Sequence, residues 1–324
     1  MSLLRRIVWK VTVSCRTSFF FLSVTVSSKN VIMPLSTSQP TAQFSPLQQI
    51  VNVSSVPQRS PFRYPGGKTW LVPHLRRWLA SLPDKPKRFI EPFAGGGIAG
   101  LTVAFEELAE RVILVELDRD VAAVWRTILN EKGSKLADRI LCFDLTIENV
   151  KRVLTSYNRS LEDRAFAALL RNRVQHGGIM APGASLMKKG ENGNGISSRW
   201  YADTLAKRIK AIAEIKKQIE FRNEDGLETI REYARLTDSV FFVDPPYTIA
   251  GKRLYRHSEI DHENLFKIMS TVKGDFLITY DNTADVEKWA DEYGFEYETV
   301  AMKSRQNSNK FELLIGRNLD WARY

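Results

Sequence analysis

The apolar run Val240-Phe241-Phe242-Val243, followed at once by Asp244-Pro245-Pro246-Tyr247, constrains this chain more than any other feature. Four consecutive β-branched or aromatic residues specify a buried strand. A carboxylate at the exposed end of such a strand lies where an open α/β sheet builds its site. The two prolines cannot continue the ladder, and they hold the backbone stiff with free carbonyls. An aromatic ring follows. The set is an acceptor side chain, an acceptor carbonyl and a stacking face, which suits a planar group bearing an NH2. The plainer alternative is a strand ending in a Pro-rich turn whose Asp caps a neighbouring element.

Further apolar runs at Arg88–Phe93, Arg111–Glu116 and Asp275–Tyr280, with helical patterns between several of them, predict a doubly wound α/β domain. Phe295–Met302 and Lys310–Arg317 flank a polar loop and predict a β-hairpin closing one edge of the sheet. Between Glu116 and Ser239 the strand-helix alternation lapses. Residues 120–172 are mostly helical in pattern. Gly177–Gly195 holds six glycines with Lys188 and Lys189, so it is a long loop or loose hairpin. A basic helix, Asp203–Lys217, then leads to a short strand, Gln218–Arg222. The expected organisation is a catalytic domain of 61–119 and 218–324, interrupted by a mostly helical region, 120–217.

The 324 residues are 44% apolar, enough for one large domain or two smaller ones, and carry a net charge of +10. Such an excess of Lys and Arg suggests a polyanionic partner. Cys15, Cys142 and four scattered histidines make neither a disulfide framework nor a zinc set, so neither a metal nor an oxidising compartment is expected. The first 32 residues differ from the rest. They hold Arg5, Arg6, Lys10, Arg16 and Lys29 with no acidic residue. Taking those five from the 47 Lys and Arg leaves 42 against 37 Asp and Glu, a net of +5. The apolar stretch Ser18–Val24 is too short to span a bilayer. Synthesis is expected to begin at Met33, which the intact mass of the native protein tests. Residues 34–60, rich in Ser, Pro, Gln and Thr, are expected to complete a flexible N-terminal segment, 1–60.

Two more constellations carry chemistry. In Phe89-Ile90-Glu91-Pro92-Phe93-Ala94-Gly95-Gly96-Gly97-Ile98-Ala99-Gly100 a strand runs into a glycine turn and then a helical pattern, Leu101–Ala109. Gly95, Gly97 and Gly100 satisfy G-x-G-x-x-G, a weak match that a purely structural turn also explains. The next strand ends at Glu116, at about the spacing where an acidic residue holds a ribose hydroxyl pair. Its alternative is a helix cap or a surface ion pair, and Asp118 could simply begin the following helix. In Pro61-Phe62-Arg63-Tyr64-Pro65-Gly66-Gly67-Lys68 the Walker spacing is absent. A Lys after Gly-Gly can still reach a carboxylate or phosphate, or the pair can merely turn into a helix over Trp70–Leu79.

Taken in order over roughly residues 61 to 317, the Gly-Gly-Lys, E-P-F-x-G-x-G and DPPY motifs resemble the Dam-type family of N6-adenine DNA methyltransferases, the D12 class. The resemblance implies a Rossmann-like fold binding S-adenosyl-L-methionine (AdoMet). Tyr64 and Lys68 would contact AdoMet, and Glu91, Phe93, Gly95 and Gly97 would bracket its methionine part. Glu116 would hold the ribose, Asp225 is a weaker match for the adenine-side contact, and Asp244 would approach both AdoMet and the target amine. Tyr64 stands where better-known members carry Trp. Arg171-Asn172-Arg173 and the glycine-rich stretch after it resemble the start of the family's target-recognition region.

The chemistry so implied is methyl transfer to an adenine flipped out of duplex DNA. Asp244, Pro245, Pro246 and Tyr247 would form the catalytic set. Arg171, Asn172, Lys188, Lys189, Arg199 and the 303–310 loop would contact DNA. Lys252 and Arg253, within Gly251–Arg256, would clamp the displaced strand. A monomeric cytoplasmic enzyme is expected, solitary or paired with a restriction partner. Three alternatives stay open: a Rossmann oxidoreductase, an AdoMet enzyme acting on RNA or a protein amide, and a non-catalytic DNA-binding module.

Overall fold

The computed structural model describes residues 51–63, 67–157, 159–178, 180, 184–190, 193–247, 260–303 and 309–323, which lie within one unit, Phe44–Tyr324. Seven strands form one sheet: β1 Arg88–Glu91, β2 Arg111–Val115, β3 Ile219–Arg222, β4 Ser239–Val243, β5 Phe276–Asp281, β6 Glu296–Lys303 and β7 Asn309–Gly316. Their order is β3-β2-β1-β4-β5-β7-β6. Strands β1 to β5 are parallel, and β7 runs antiparallel to both β5 and β6. Each strand expected from an apolar run is present, its ends shifted by one or two residues, and the hairpin closes one edge.

Strands β1 and β4 lie side by side although the chain visits β2 and β3 between them. The strand order therefore reverses at this pair, and the crevice at its carboxyl ends is where such a sheet takes a ligand. Glu91 ends β1 and Asp244 follows β4.

Helices α1 Val72–Ser81, α2 Ile98–Phe105, α3 Arg119–Ile128, α4 Gly133–Leu141, α5 Ile147–Thr155, α6 Leu161–Val174 and α7 Ala202–Glu214 contribute to the core on one face. The opposite face is covered by α8 Gly226–Tyr233, α9 His262–Thr271 and α10 Ala284–Glu292. A last short helix, α11 Asp320–Arg323, returns to the first face. Successive strand residues point to opposite sides. Phe89, Leu114 and Phe242 thus enter one core, while Ile90, Ile113 and Phe241 enter the other. Each such side chain contributes roughly 1.5–3 kcal/mol by its burial.

The inserted region shares this core. Phe166, Leu169 and Ile209 belong to the same apolar cluster as Phe89 and Leu114. The boundary expected after residue 119 falls one residue into α3. Asp118 starts that helix, accepting from the N–H groups of Asp120 (2.7 Å) and Val121 (3.3 Å), a cap worth about 1 kcal/mol. Buried Asp120 then binds α3 to α6 through Arg164 (3.1 Å) and Arg171 (3.0 Å).

Residues 51–60, expected within the flexible segment, are mostly exposed but anchored at their C-terminal half. Val56 and Ser60 are buried, Ser60 Oγ donates to the Gly96 carbonyl at 2.5 Å, and Arg59 pairs with Glu106 at 2.7 Å. A composition poor in charge hid one apolar anchor and one well-placed hydroxyl. Among the described residues no helix is long and apolar enough to cross a membrane.

Candidate active site at the carboxyl rim of the sheet

The glycine turn is fixed from several directions. Gly95 and Gly97 have φ of 46° and 61°, a region that costs other residues roughly 1–2 kcal/mol. Trp125 of α3 donates its indole N–H to the Gly95 carbonyl at 2.9 Å, and its ring lies where a Cβ on Gly97 would sit. Glu91 turns inward and accepts from the Gly100 N–H at 2.7 Å. Burial pushes its carboxyl well above the ordinary range, against that hydrogen bond, with the charges of Asp244 and Glu116 adding to the rise. Phe93 packs partly into the opposite core.

Glu116, just past β2, accepts from Gly95 N–H at 2.9 Å and Asp118 N–H at 2.8 Å. Its carboxyl is pushed up to about 7 by burial, with the Asp118 charge adding and the N–H groups of Asp118, Gly95 and Leu117 opposing. Asn223 donates to the Glu116 carbonyl at 2.7 Å, tying the ends of β2 and β3 together. Asp225 caps α8 through the Leu227 N–H at 2.7 Å. The first turn of α8 sits against Pro92, whose carbonyl would meet a Cβ on Gly226 at 2.3 Å.

At the end of β4, Asp244 keeps a quarter of its side chain exposed. Its Oδ1 accepts from Thr279 Oγ1 at 2.8 Å and lies 3.1 Å from the Lys68 ammonium. Lys68 is buried, donates to the Tyr247 hydroxyl at 2.5 Å and stands 4.7 Å from the centroid of that ring. Pro245 is buried, and the Tyr247 ring stacks on Tyr280 at 6.1 Å and 19°. The three sequence motifs thus meet on one rim. A further member, Glu312 of β7, lies 3.2 Å from Lys68 and accepts from the Tyr247 hydroxyl at 2.8 Å.

The residues expected to touch DNA separate into groups. Lys188 and Lys189 are exposed, and Arg199 is half-buried. Asn172 is 1% exposed, so a DNA contact does not fit its placement. Its side chain accepts from Arg63 N–H at 2.8 Å and donates to the carbonyls of Arg63 and Gly178 at 2.9 and 2.8 Å. The Arg171 guanidinium is engaged by buried Asp120. Tyr64, Lys252 and Arg253, most of the 303–310 loop and the Met33 start lie outside the described residues. Among the described residues no group of three or more His, Cys, Asp or Glu could hold a metal ion.

Residues 64–165 match the family model of the D12 class N6 adenine-specific DNA methyltransferases, which bears out the resemblance drawn from the motifs. The chain is 27% identical over 195 residues to the DNA N-6-adenine-methyltransferase of Escherichia phage P1. That match takes in 59% of this chain and 24% of the phage protein, so the chain spans about a quarter of that relative's length. Among solved structures, an rRNA methyltransferase from Streptomyces viridochromogenes aligns with 13% identity and a TM-score of 0.36, over 83% of this chain and 94% of that one. The spermidine synthase of Thermotoga maritima aligns with 11% identity and a TM-score of 0.36, over 76% and 57% of the two chains.

Proposed function

Taking the chain as a relative of the D12-class adenine methyltransferases, we propose that it transfers a methyl group from AdoMet to the N6 amino group of an adenine flipped out of duplex DNA. One observation carries this most: the Asp244 carboxylate directly follows β4, the neighbour of the strand that leads into the glycine turn, at the point where strand order reverses. The G-x-G-x-x-G match that favoured an oxidoreductase falls inside the segment matched by the methyltransferase family.

The residues present fit AdoMet. Ionised Glu116 has about four acceptor sites, and its backbone donors leave capacity for a ribose hydroxyl. Asp225 sits at the adjoining strand end, and the glycine turn brings bare backbone to the crevice. When bound, AdoMet supplies a methyl group on a positively charged sulfur, a strong electrophile.

The chain must therefore improve the nucleophile. The adenine amino lone pair is delocalised into the ring. The Asp244 carboxylate and the Pro245 carbonyl each accept one N–H, which favours a pyramidal nitrogen and stabilises the charge that develops on it. Thr279 holds the carboxylate in place. Extruding the base costs a few kcal/mol, which stacking on Tyr247, itself backed by Tyr280, offsets in part. Lys188, Lys189 and Arg199 supply phosphate contacts that position the duplex without specifying sequence.

Asp244→Ala tests the assignment. Methylation of DNA adenine should be abolished while AdoMet affinity stays within about tenfold, or ~1.4 kcal/mol. Retained turnover would refute the role given to this carboxylate.

A further inference from the structure

Glu312 belongs to none of the three motifs, yet it completes their meeting point. It pairs in register with Asp281 of β5 and Val300 of β6, and its side chain is 9% exposed. The next three residues, Leu313, Leu314 and Ile315, are fully buried. A carboxylate in such a strand is strongly disfavoured unless it is paired. Its partners are the Lys68 ammonium and the Tyr247 hydroxyl. The same ammonium touches Asp244, so one buried cation bridges two carboxylates. Burial pushes the Glu312 carboxyl up, Lys68 opposes the rise, and the Asp244 charge adds to it.

The methyl-transfer role proposed above, on which this step rests, sets Asp244 a conflict. It must meet an adenine N–H with its negative charge, while Lys68 and Thr279 both draw on that charge at Oδ1. Were Asp244 the only carboxylate beside Lys68, its charge alone would have to balance that buried cation. We propose that Glu312 is a positioning residue that keeps Lys68 neutralised and anchored while Asp244 engages the amine. Tyr247, bonded to both Lys68 and Glu312, fixes the distance between them.

A double-mutant cycle tests this with single-turnover methylation rates and AdoMet affinities by calorimetry. Glu312→Gln keeps the shape and removes the charge. It should slow methyl transfer about 10- to 100-fold while AdoMet affinity changes less than about threefold. Glu312→Asp, which keeps the charge, should stay within about fivefold of wild type. In a Lys68→Met background, adding Glu312→Gln should cost less than about threefold more, because the cation it manages is gone. A loss of equal size with and without Lys68 overturns the proposal, since Glu312 would then act through hairpin packing. An unchanged Glu312→Gln rate overturns it too. If Glu312→Gln does not fold, Lys68→Met/Glu312→Met removes both charges; a rate below about a tenth of Lys68→Met alone then overturns it. A wild type that methylates no DNA adenine sinks the methyl-transfer role and this one together, a result distinct from an active wild type indifferent to Glu312.

Discussion

If Glu116 holds the ribose as proposed, a single carboxyl couples ligand binding to pH. Burial raises it to about 7, so near neutrality it is partly protonated before a ligand arrives. Ribose hydroxyls donating to it favour the charged form and pull the value down. AdoMet binding should therefore release protons, and affinity should strengthen as pH rises from about 5 through about 7, then level off. Calorimetry in buffers of different ionisation enthalpy measures the release directly. Wild type should release a fraction of a proton near pH 6.5–7, roughly where a group of this kind titrates, and Glu116→Gln should release none. Proton uptake, or release unchanged in the variant, would remove Glu116 from the ribose.

Helix α6 ends in residues that look like DNA contacts and behave as clasps. Asn172 holds both backbone groups of Arg63, and Arg173 donates to the Pro61 carbonyl at 2.6 Å. From α7, Arg208 donates to the Ser60 carbonyl at 3.1 Å. The inserted helices thus grip the strand of chain from which Lys68 emerges. Asn172→Ala should destabilise the fold by about 2 kcal/mol or more, because it orphans buried backbone groups. Lys188→Ala should leave the denaturant midpoint unchanged. Equal midpoints for both variants would return Asn172 to the surface role. The sequence made the sheet legible because short, wholly apolar runs such as Val240–Val243 have few other uses. It exposed Asp244 because an acidic residue beside two prolines ends such a run abruptly. It hid Glu312 because a single carboxylate inside Phe311–Ile315 interrupts no pattern; its one signal was its place within an otherwise apolar run. Asn172 was hidden for a related reason: an Asn flanked by arginines reads as polar surface until the fold shows what faces it.

Across the whole molecule, the charge excess is the property most open to measurement. If Lys188, Lys189 and Arg199 track phosphates, log Kobs for duplex DNA should fall with log salt by about 0.9 for each phosphate neutralised. Lys188→Ala/Lys189→Ala should flatten that slope by about one to two and weaken all DNA sequences alike. A slope unchanged from wild type would move the DNA surface elsewhere. The meeting of Lys68 with Glu312 also ties the catalytic rim to the sheet's edge. The ammonium precedes β1 and the second anion lies in the hairpin at the sheet's edge, so the rim is complete only with β7 docked against β5. A hairpin that frays would carry this anion away with it, so loosening the sheet's edge and unbalancing the buried cation are one event.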